Sequence, residues 1–164
     1  MNLVVSGTRS QSCMEKPIMV YEFKHMRRVE FSDTDMAGIM HFSRYFIFME
    51  SAEHAFFRSL GFSIHTRIGD RRYGWPRLQV DCRYMRPLRF EDEVEIHLRV
   101  REITEKTIRY EVLFHKLNAD PPELVAQGSL TVIFVTHDEE ESGMRSVPIP
   151  AEIKSILKTA PPQP

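Results

Sequence analysis

The sequence contains little cysteine. Of its 164 residues, only Cys13 and Cys82 are cysteines. Two thiols are too few for the disulfide framework of a small secreted protein, and a structural zinc site needs closely spaced cysteine pairs that this sequence lacks. We therefore expect both thiols to be unpaired and the fold to depend on a hydrophobic core.

Long hydrophobic runs are also missing. No stretch approaches the roughly 18 consecutive apolar residues of a transmembrane helix, and residues 1–10 lack the basic and apolar regions of a signal peptide. Residues 1–18 show no periodicity, which predicts a flexible N-terminal extension. The sequence thus predicts a cytoplasmic protein without a membrane span.

Neither sign of charge dominates the sequence. The 22 basic and 23 acidic residues give a formal net charge of −1, so nothing attracts the whole molecule to nucleic acid or to an anionic membrane. Helix-turn-helix patterns and the glycine-rich loops that bind nucleotide phosphates are absent from the sequence. A small-molecule partner fits this composition better than a nucleic acid.

Hydrophobic residues make up 42% of the chain, enough for one domain with a buried core. We expect this domain to span residues 19–158, followed by a disordered tail at 159–164. Apolar and polar side chains alternate as in half-buried strands, and short connections between these segments favour antiparallel pairing. The predicted strands are residues 20–31, 78–84, 94–100, 108–114 and 126–134, with a loop at 62–73 and a short helix at 151–157.

Residues 43–60 carry the signals of a long helix, with Ser43 as N-cap and Gly61 just beyond the end. Apolar side chains cover nearly all of its faces, so the helix must be buried on most sides. The sequence therefore predicts an α+β fold in which a five-stranded antiparallel sheet wraps a long central helix. Since an open sheet leaves uncovered edges, we also expect a homodimer or a dimer of dimers.

Two carboxylates, Asp33 and Asp35, and a glycine, Gly38, lie just ahead of the predicted helix. A carboxylate beside the first turn of a helix can activate water or attack a carbonyl group, while unpaired backbone N–H groups of that turn receive the carbonyl oxygen. This short segment therefore provides both halves of an acyl-transfer site. Aspartate also caps turns by accepting backbone N–H bonds, and we expect that role for Asp33.

The run Arg-Val-Glu-Phe-Ser-Asp-Thr-Asp-Met-Ala-Gly-Ile-Met-His-Phe-Ser-Arg-Tyr, followed by Phe-Met-Glu at 48–50, resembles the opening signature of the 4-hydroxybenzoyl-CoA thioesterase family of hotdog-fold proteins. This resemblance implies hydrolysis of acyl-CoA to a free acid and CoA without a cofactor. It makes Asp35 the catalytic carboxylate, as nucleophile or general base. It also places the oxyanion contact at a backbone N–H near His41 or Phe42.

The chain departs from many relatives just before the helix, where it has His41 followed by Phe42 instead of an aromatic residue followed by histidine. His41 is therefore either a polarising group or a loop residue that hydrogen-bonds locally. Residues expected to contact the substrate are Gly38, Ile39, Tyr45 and Glu50, with Arg83, Arg86, Arg89, Lys106 and Arg109 as candidates for the CoA phosphates. Glu50 and His54 are four residues apart, a spacing that an ion pair explains better than a metal site.

Two other functions stay open at this point. One is a hotdog dehydratase or hydratase acting on an acyl thioester, although the Asp-Thr-Asp-x-x-Gly turn argues against it. The other is a non-catalytic protein that binds acyl thioesters, since a fold does not fix a function. The acyl group, and the choice between CoA and acyl-carrier protein, cannot be predicted from the sequence.

Overall fold

A computed structural model describes residues 20–138 and 143–162; the predictions for residues 1–18 and for Cys13 lie outside this part of the chain. The two helices are α1, Arg44–Ser59, and α2, Ala151–Ile156, and a short 3-10 turn spans Phe31–Asp33. The strands are β1, Glu22–Arg28; β2, Thr66–Ile68; β3, Arg71–Gly74; β4, Arg77–Tyr84; β5, Glu93–Ile103; β6, Thr107–Lys116; β7, Glu123–Ile133; β8, Val135–Asp138; and β9, Met144–Ser146.

The main sheet contains the five strands that alternation predicts, in the order β1-β5-β6-β7-β4. Every neighbouring pair in it is antiparallel. Its register places Ile96 opposite Phe114 and Val112 opposite Gly128, so the apolar residues of successive strands share one face. The α+β fold with an antiparallel sheet around one long helix is therefore confirmed.

Helix α1 lies against this apolar face. Phe48, Met49, Ala52 and Phe56 are completely buried, and the ring of Phe56 meets that of Tyr110 edge-on at a centroid distance of 6.3 Å. Burial of each large apolar side chain contributes about 1.5–3 kcal/mol relative to exposure. Packing thus anchors the helix along its length, and the loop before it is held at a fixed place over the sheet.

A second sheet corrects the prediction of a single five-stranded one. Its four short strands have the order β2-β3-β8-β9, and the segment 62–73, predicted as a loop, forms the hairpin of β2 and β3. The sequence gives no sign of these strands because they carry few apolar residues: Arg67, Arg71 and Arg72 occupy the hairpin. Backbone pairing of β3 with β8 holds them instead.

The C-terminal segment returns to the main sheet. Helix α2 forms where it is predicted, with Ile153 and Leu157 buried. Beyond it, the Ala160 N–H donates to the Val100 carbonyl at 2.7 Å, and the Pro161 carbonyl accepts a hydrogen bond from Arg99 at 3.0 Å. Ala160 and Pro161 thus contact the main sheet within the segment 159–164, where a disordered tail stays a prediction.

Strand β4 forms one edge of the main sheet. Leu78, Val80 and Tyr84 are 58%, 40% and 44% exposed, respectively. An edge strand with uncovered apolar side chains is a common place for a partner to bind. Within residues 20–138 and 143–162, no helix has the length and hydrophobicity needed to cross a membrane.

Candidate active site

Asp33 anchors the loop that precedes α1. Its side chain is only 2% exposed. Its Oδ1 accepts a hydrogen bond from Nε of Arg44 at 2.6 Å, and Nη2 of Arg44 lies 2.6 Å from the same oxygen as an ion-pair contact. The other oxygen, Oδ2, accepts from the Glu30 N–H at 3.0 Å. Asp33 therefore has the structural role expected of it, because its carboxylate is fully engaged by the protein.

Asp35 lies on the tight turn that follows. Its Oδ1 accepts from the Ala37 N–H at 2.8 Å, while its own N–H donates to the Ile39 carbonyl at 3.0 Å. Gly38 completes the turn with a φ of +69°, a conformation that residues with a Cβ rarely adopt. Asp35 is exposed, and its Oδ2 has no hydrogen-bond partner among the described residues, so this oxygen is available to a substrate or to water.

The residues just before α1 leave one backbone donor unused. The His41 N–H donates to the Asp33 carbonyl and the Arg44 N–H to the His41 carbonyl, at 2.8 and 2.9 Å. Between them, the N–H of Phe42 has no acceptor in the described part of the chain. Such a donor at the positive end of a helix can receive a developing oxyanion.

Ser43 does not cap α1 with its side chain, and His41 makes the local hydrogen bond that is one of its two predicted roles. The Ser43 hydroxyl makes no capping bond to the helix backbone; it lies 2.8 Å from Nδ1 of His41 instead. The imidazole also packs on the Phe42 ring, with centroids 4.4 Å apart. His41 does not line the cavity described below, and its catalytic role stays a prediction.

An open cavity of about 680 Å³ lies between this loop and the end of β4. Its walls combine the Asp35 loop with the start of α1 and the segment after β4. The lining residues are Asp35, Ala37, Ile39, Met40, Phe42, Tyr45, Tyr84, Met85, Arg86 and Pro87. A mostly apolar hollow with one carboxylate and one free N–H is suited to an acyl group whose carbonyl carbon and oxygen face those two groups.

Tyr45 forms the floor of this cavity. Its ring meets those of Tyr84 and Phe114 edge-on, at centroid distances of 5.0 and 5.3 Å. Burial raises the pKa of its hydroxyl to about 12, helped by the neighbouring Cys82. Tyr45 therefore stays protonated, and its ring forms part of the cavity wall.

The structure brings only some of the predicted substrate residues to this cavity. Gly38, Ile39, Tyr45 and Arg86 lie at or beside it, and Arg89 joins them through a 3.3 Å bond from its Nη1 to the Gly38 carbonyl. Met85 and Pro87 were not predicted as site residues, and neither was Tyr84. They lie at the end of a strand more than 40 residues after Asp35, and no motif in the sequence connects the two segments.

The other predicted residues lie elsewhere in the chain. Glu50 lines a separate cavity of about 520 Å³ together with His54, Trp75 and Arg77. Arg83 and Arg109 line a groove on the outer face of the main sheet. Lys106 donates to the Ser146 hydroxyl at 3.4 Å, beside the second sheet.

Glu50 and His54 form the expected ion-pair geometry, with 3.8 Å between Oε1 and Nε2. The described residues contain no group of three side chains arranged to hold a metal ion. Next to Glu50 is a buried ion pair that was not predicted from the sequence. In it, Arg77 Nη2 lies 2.5 Å from Oε2 of the fully buried Glu53.

Comparison with known proteins identifies the class. The solved structure of a gentisyl-coenzyme A thioesterase is 27% identical to this chain, with a TM-score of 0.66 over 80% of this chain and 99% of that one. The 4-hydroxybenzoyl-CoA thioesterase of Pseudomonas sp. strain CBS-3 is 18% identical, with a TM-score of 0.70 over 83% and 99% of the two chains. At that identity the second likeness shows the fold alone, which is the hotdog fold.

The chain belongs to the thioesterase-like superfamily, which it matches over residues 29–157. A protein of Aquifex aeolicus (strain VF5) named "Putative esterase" is 32% identical over 136 residues, which cover 83% of this chain and 98% of that one. The resemblance noted in the sequence is thereby confirmed. The matched region includes both the Asp35 loop and the strand that closes the cavity.

Proposed function

We propose that this protein is an acyl-CoA thioesterase with Asp35 as its catalytic carboxylate. One observation carries the proposal: the free Oδ2 of Asp35 and the unpaired N–H of Phe42 belong to residues that line the same cavity. Hydrolysis of a thioester needs a nucleophile or base at the carbonyl carbon and a donor at its oxygen. The superfamily and the named thioesterase relatives agree with this chemistry.

Two routes are open to Asp35. As a general base it takes a proton from water while the water oxygen bonds to the carbonyl carbon; the C–S bond then breaks and the thiolate leaves with a proton. As a nucleophile its oxygen bonds to that carbon and expels the thiolate, and water hydrolyses the resulting anhydride. In both routes the Phe42 N–H stabilises the negative oxygen of the tetrahedral intermediate.

The basic residues at the mouth of the cavity support a phosphate-bearing carrier. We propose that Arg86 and Arg89 bind the phosphates of CoA, since Arg86 lines the cavity and Arg89 contacts its loop. Arg86 is held 2.6 Å from Glu123, and its side chain is largely exposed, so the pair is easily exchanged for a phosphate. A role in substrate binding stays a prediction for four residues that do not line this cavity in a single chain: Arg83, Lys106, Arg109 and Glu50.

We also propose that a second copy of the chain covers β4. Leu78, Val80 and Tyr84 form an apolar edge, and among the described strands β4 has a neighbour on one side only. A two-fold axis beside this strand would pair it with itself and bury that edge. Light scattering after gel filtration should give a dimer or tetramer for the wild type and a smaller species for Val80→Lys; an unchanged mass in the variant contradicts this interface.

The function is tested by thiol release from short, long and aromatic acyl-CoA thioesters. We expect Asp35→Asn to lower kcat by about a hundredfold or more, with folding unchanged. Asp70→Asn is the matched control, because Asp70 is an exposed residue of the β2–β3 turn. Equal turnover by Asp35→Asn and wild type would refute the assignment. If the wild type releases no thiol, the same acyl groups are tested as thioesters of acyl-carrier protein. If these are not hydrolysed either, the thioesters are tested for binding without turnover and for hydration.

A further inference from the structure

Asp33 and Arg44 form an ion pair at the base of the Asp35 loop. We propose that this pair is a positioning pair: it sets the separation between the Asp35 carboxylate and the Phe42 N–H without touching the substrate. The inference rests on the proposed function and adds to it two residues that do not line the cavity.

The covalent order of the chain makes this possible. Residues 34–43 connect the 3-10 turn that ends at Asp33 to helix α1, which begins at Arg44, so the pair closes a loop that contains both Asp35 and Phe42. Backbone contacts also hold the two ends of this loop together. The His41 N–H donates to the Asp33 carbonyl at 2.8 Å, and Thr34 forms a β-bridge with Met40. The position of each reacting group is therefore fixed relative to the two ends that the pair joins.

The geometry of the pair is that of a fixed contact. Both Nε and Nη2 of Arg44 lie 2.6 Å from the same oxygen of Asp33, and the Glu30 N–H holds the other oxygen. The carboxylate cannot rotate without breaking one of these bonds. A hydrogen bond from Nε and an ion-pair contact from Nη2 of one planar guanidinium fix an orientation, which a single flexible ammonium does not do.

The placement of Arg44 also argues for positioning rather than helix stability. Arg44 is the first residue of α1, where a positive charge opposes the helix dipole. A contact selected only for stability would not require a cation at this end of a helix. The presence of Arg44 is explained if its guanidinium is needed to hold Asp33, which in turn fixes the start of the loop 34–43.

Loosening this contact should affect catalysis more than binding. Displacement of a reacting group by about 1 Å can cost about a hundredfold in rate. Tyr45, Tyr84 and Pro87 lie outside residues 34–43 and keep their part of the cavity wall, so affinity for the acyl group should change less than the rate. The expected signature is a lower kcat with a nearly constant KM.

The experiment compares Asp33→Asn and Arg44→Lys with the matched control Glu111→Gln. Glu111 is also a largely buried carboxylate bound by arginine, lying 3.3 Å from Arg99 and 3.2 Å from Arg101, but it lies on the outer face of the main sheet. We expect kcat to fall by about tenfold to a hundredfold in both site variants, with KM within about a factor of two, and to stay at the wild-type value in the control. Because the two residues act as one unit, the double variant should be no slower than the slower single variant.

Hydrogen exchange supplies a readout that does not need turnover. Backbone amides in residues 34–43 should exchange faster in both site variants than in the control, while those of β6 do not change. A wild type without thioesterase activity would overturn the proposed function alone, because exchange still reports whether the pair holds the loop. Unchanged exchange and unchanged kcat in a folded Asp33→Asn or Arg44→Lys protein would overturn the positioning pair. The second variant keeps the test valid if the first fails to fold.

Discussion

The hydroxyl of Tyr84 donates a 3.1 Å hydrogen bond to the carbonyl of Phe42. This bond joins the end of the edge strand β4 to the residue whose N–H faces the proposed oxyanion position. The ring of Tyr84 also packs edge-on against Tyr45 in the first turn of α1. One side chain from the sheet thus supports the loop and the helix at the place where the proposed chemistry happens.

Replacement of Tyr84 by phenylalanine tests this support. The ring contact with Tyr45 is kept and only the hydroxyl is lost, so we expect unfolding to become easier by no more than about 0.5–1.5 kcal/mol. The freed Phe42 carbonyl lets the peptide move, and kcat should fall by about fivefold or more. Urea unfolding and thiol-release kinetics measure the two effects.

Tyr21→Phe serves as the control for that experiment. Its ring lies below the Lys158 ammonium at 5.1 Å, and its hydroxyl has no hydrogen-bond partner within the part of the chain that the structure describes. Loss of the Tyr21 hydroxyl should leave kcat at the wild-type value. A Tyr84→Phe enzyme as fast as this control would mean that the bond to Phe42 has no part in catalysis.

Gly38→Ala should damage the active-site turn through backbone conformation alone. A Cβ at Gly38 would meet only Arg89 Nη1, at 3.9 Å, but its φ is +69°, which costs an L-residue about 1–2 kcal/mol. We expect a loss of stability of that size and a lower kcat, because relief of the strain shifts Asp35. Gly38→Asn should lose less, since asparagine tolerates this conformation.

Gly61→Ala is the matched control at the other end of α1. Gly61 has a φ of +81° and open space around it, so the conformational cost is similar while the active-site turn is distant. Urea unfolding should show comparable losses for the two alanine variants, and only Gly38→Ala should lose turnover. Equal kcat values in both would show that the shape of the turn does not matter for the reaction.

The fold was largely predictable because the alternation of apolar and polar side chains along a strand indicates which face of the sheet is buried. Strand β5 illustrates this: Val94, Ile96 and Leu98 are all completely buried, and no competing period is present. The hairpin of β2 and β3 was not predictable, because its strands are three and four residues long and rich in arginine. Its pairing with β8 is a long-range backbone contact, which local patterns do not encode.

The Asp35 loop was predictable because all of its parts lie within one short segment. The directions of more distant side chains were not. Glu50 follows Tyr45 by five residues, which rotates it by about 140° around the helix, and it faces a different cavity. Arg83 precedes Tyr84 in a strand, so its side chain points to the opposite face of the sheet from the tyrosine. Spacing within one element shows that Glu50 and Arg83 point away from Tyr45 and Tyr84, but the sequence does not show which of these faces borders Asp35.

Gly128→Ala tests the packing of α1 on the sheet. A Cβ at this position would clash with the backbone carbonyl of Asp81 in β4 and with Cε of Met49 in α1. The methionine can move, but the carbonyl cannot do so without displacing its strand, so we expect a loss of about 3 kcal/mol in urea unfolding. A loss below about 1 kcal/mol would show that β4 shifts freely. Met49→Ala should not rescue the variant, since the backbone clash remains.

Glu53 should make stability depend on pH. Burial raises its pKa from 4.5 to about 7, against the opposing effect of the Arg77 charge and with a smaller contribution from Glu50. Its Oε1 has no hydrogen-bond partner among the described residues, and neither does the nearby hydroxyl of Tyr110. The carboxyl group is therefore more easily protonated in the folded chain than in the unfolded one.

The sign follows from proton binding. Between pH 4.5 and about 7 the folded state holds a proton that the unfolded state has released. The stabilising contribution of this proton to the free energy of unfolding is therefore complete below pH 4.5 and is lost as the pH rises through 7. The full change is about 3 kcal/mol. Glu53→Gln removes this titration, so its stability should fall less than that of the wild type between about pH 5 and pH 8. The control is Glu93→Gln, which changes an exposed carboxylate, and its free energy of unfolding should vary with pH as that of the wild type does. If the free energy of unfolding of Glu53→Gln, measured with urea, also runs parallel to that of the wild type across this range, the prediction is wrong. Glu53 is then ionised throughout, and Arg77 outweighs the effect of burial.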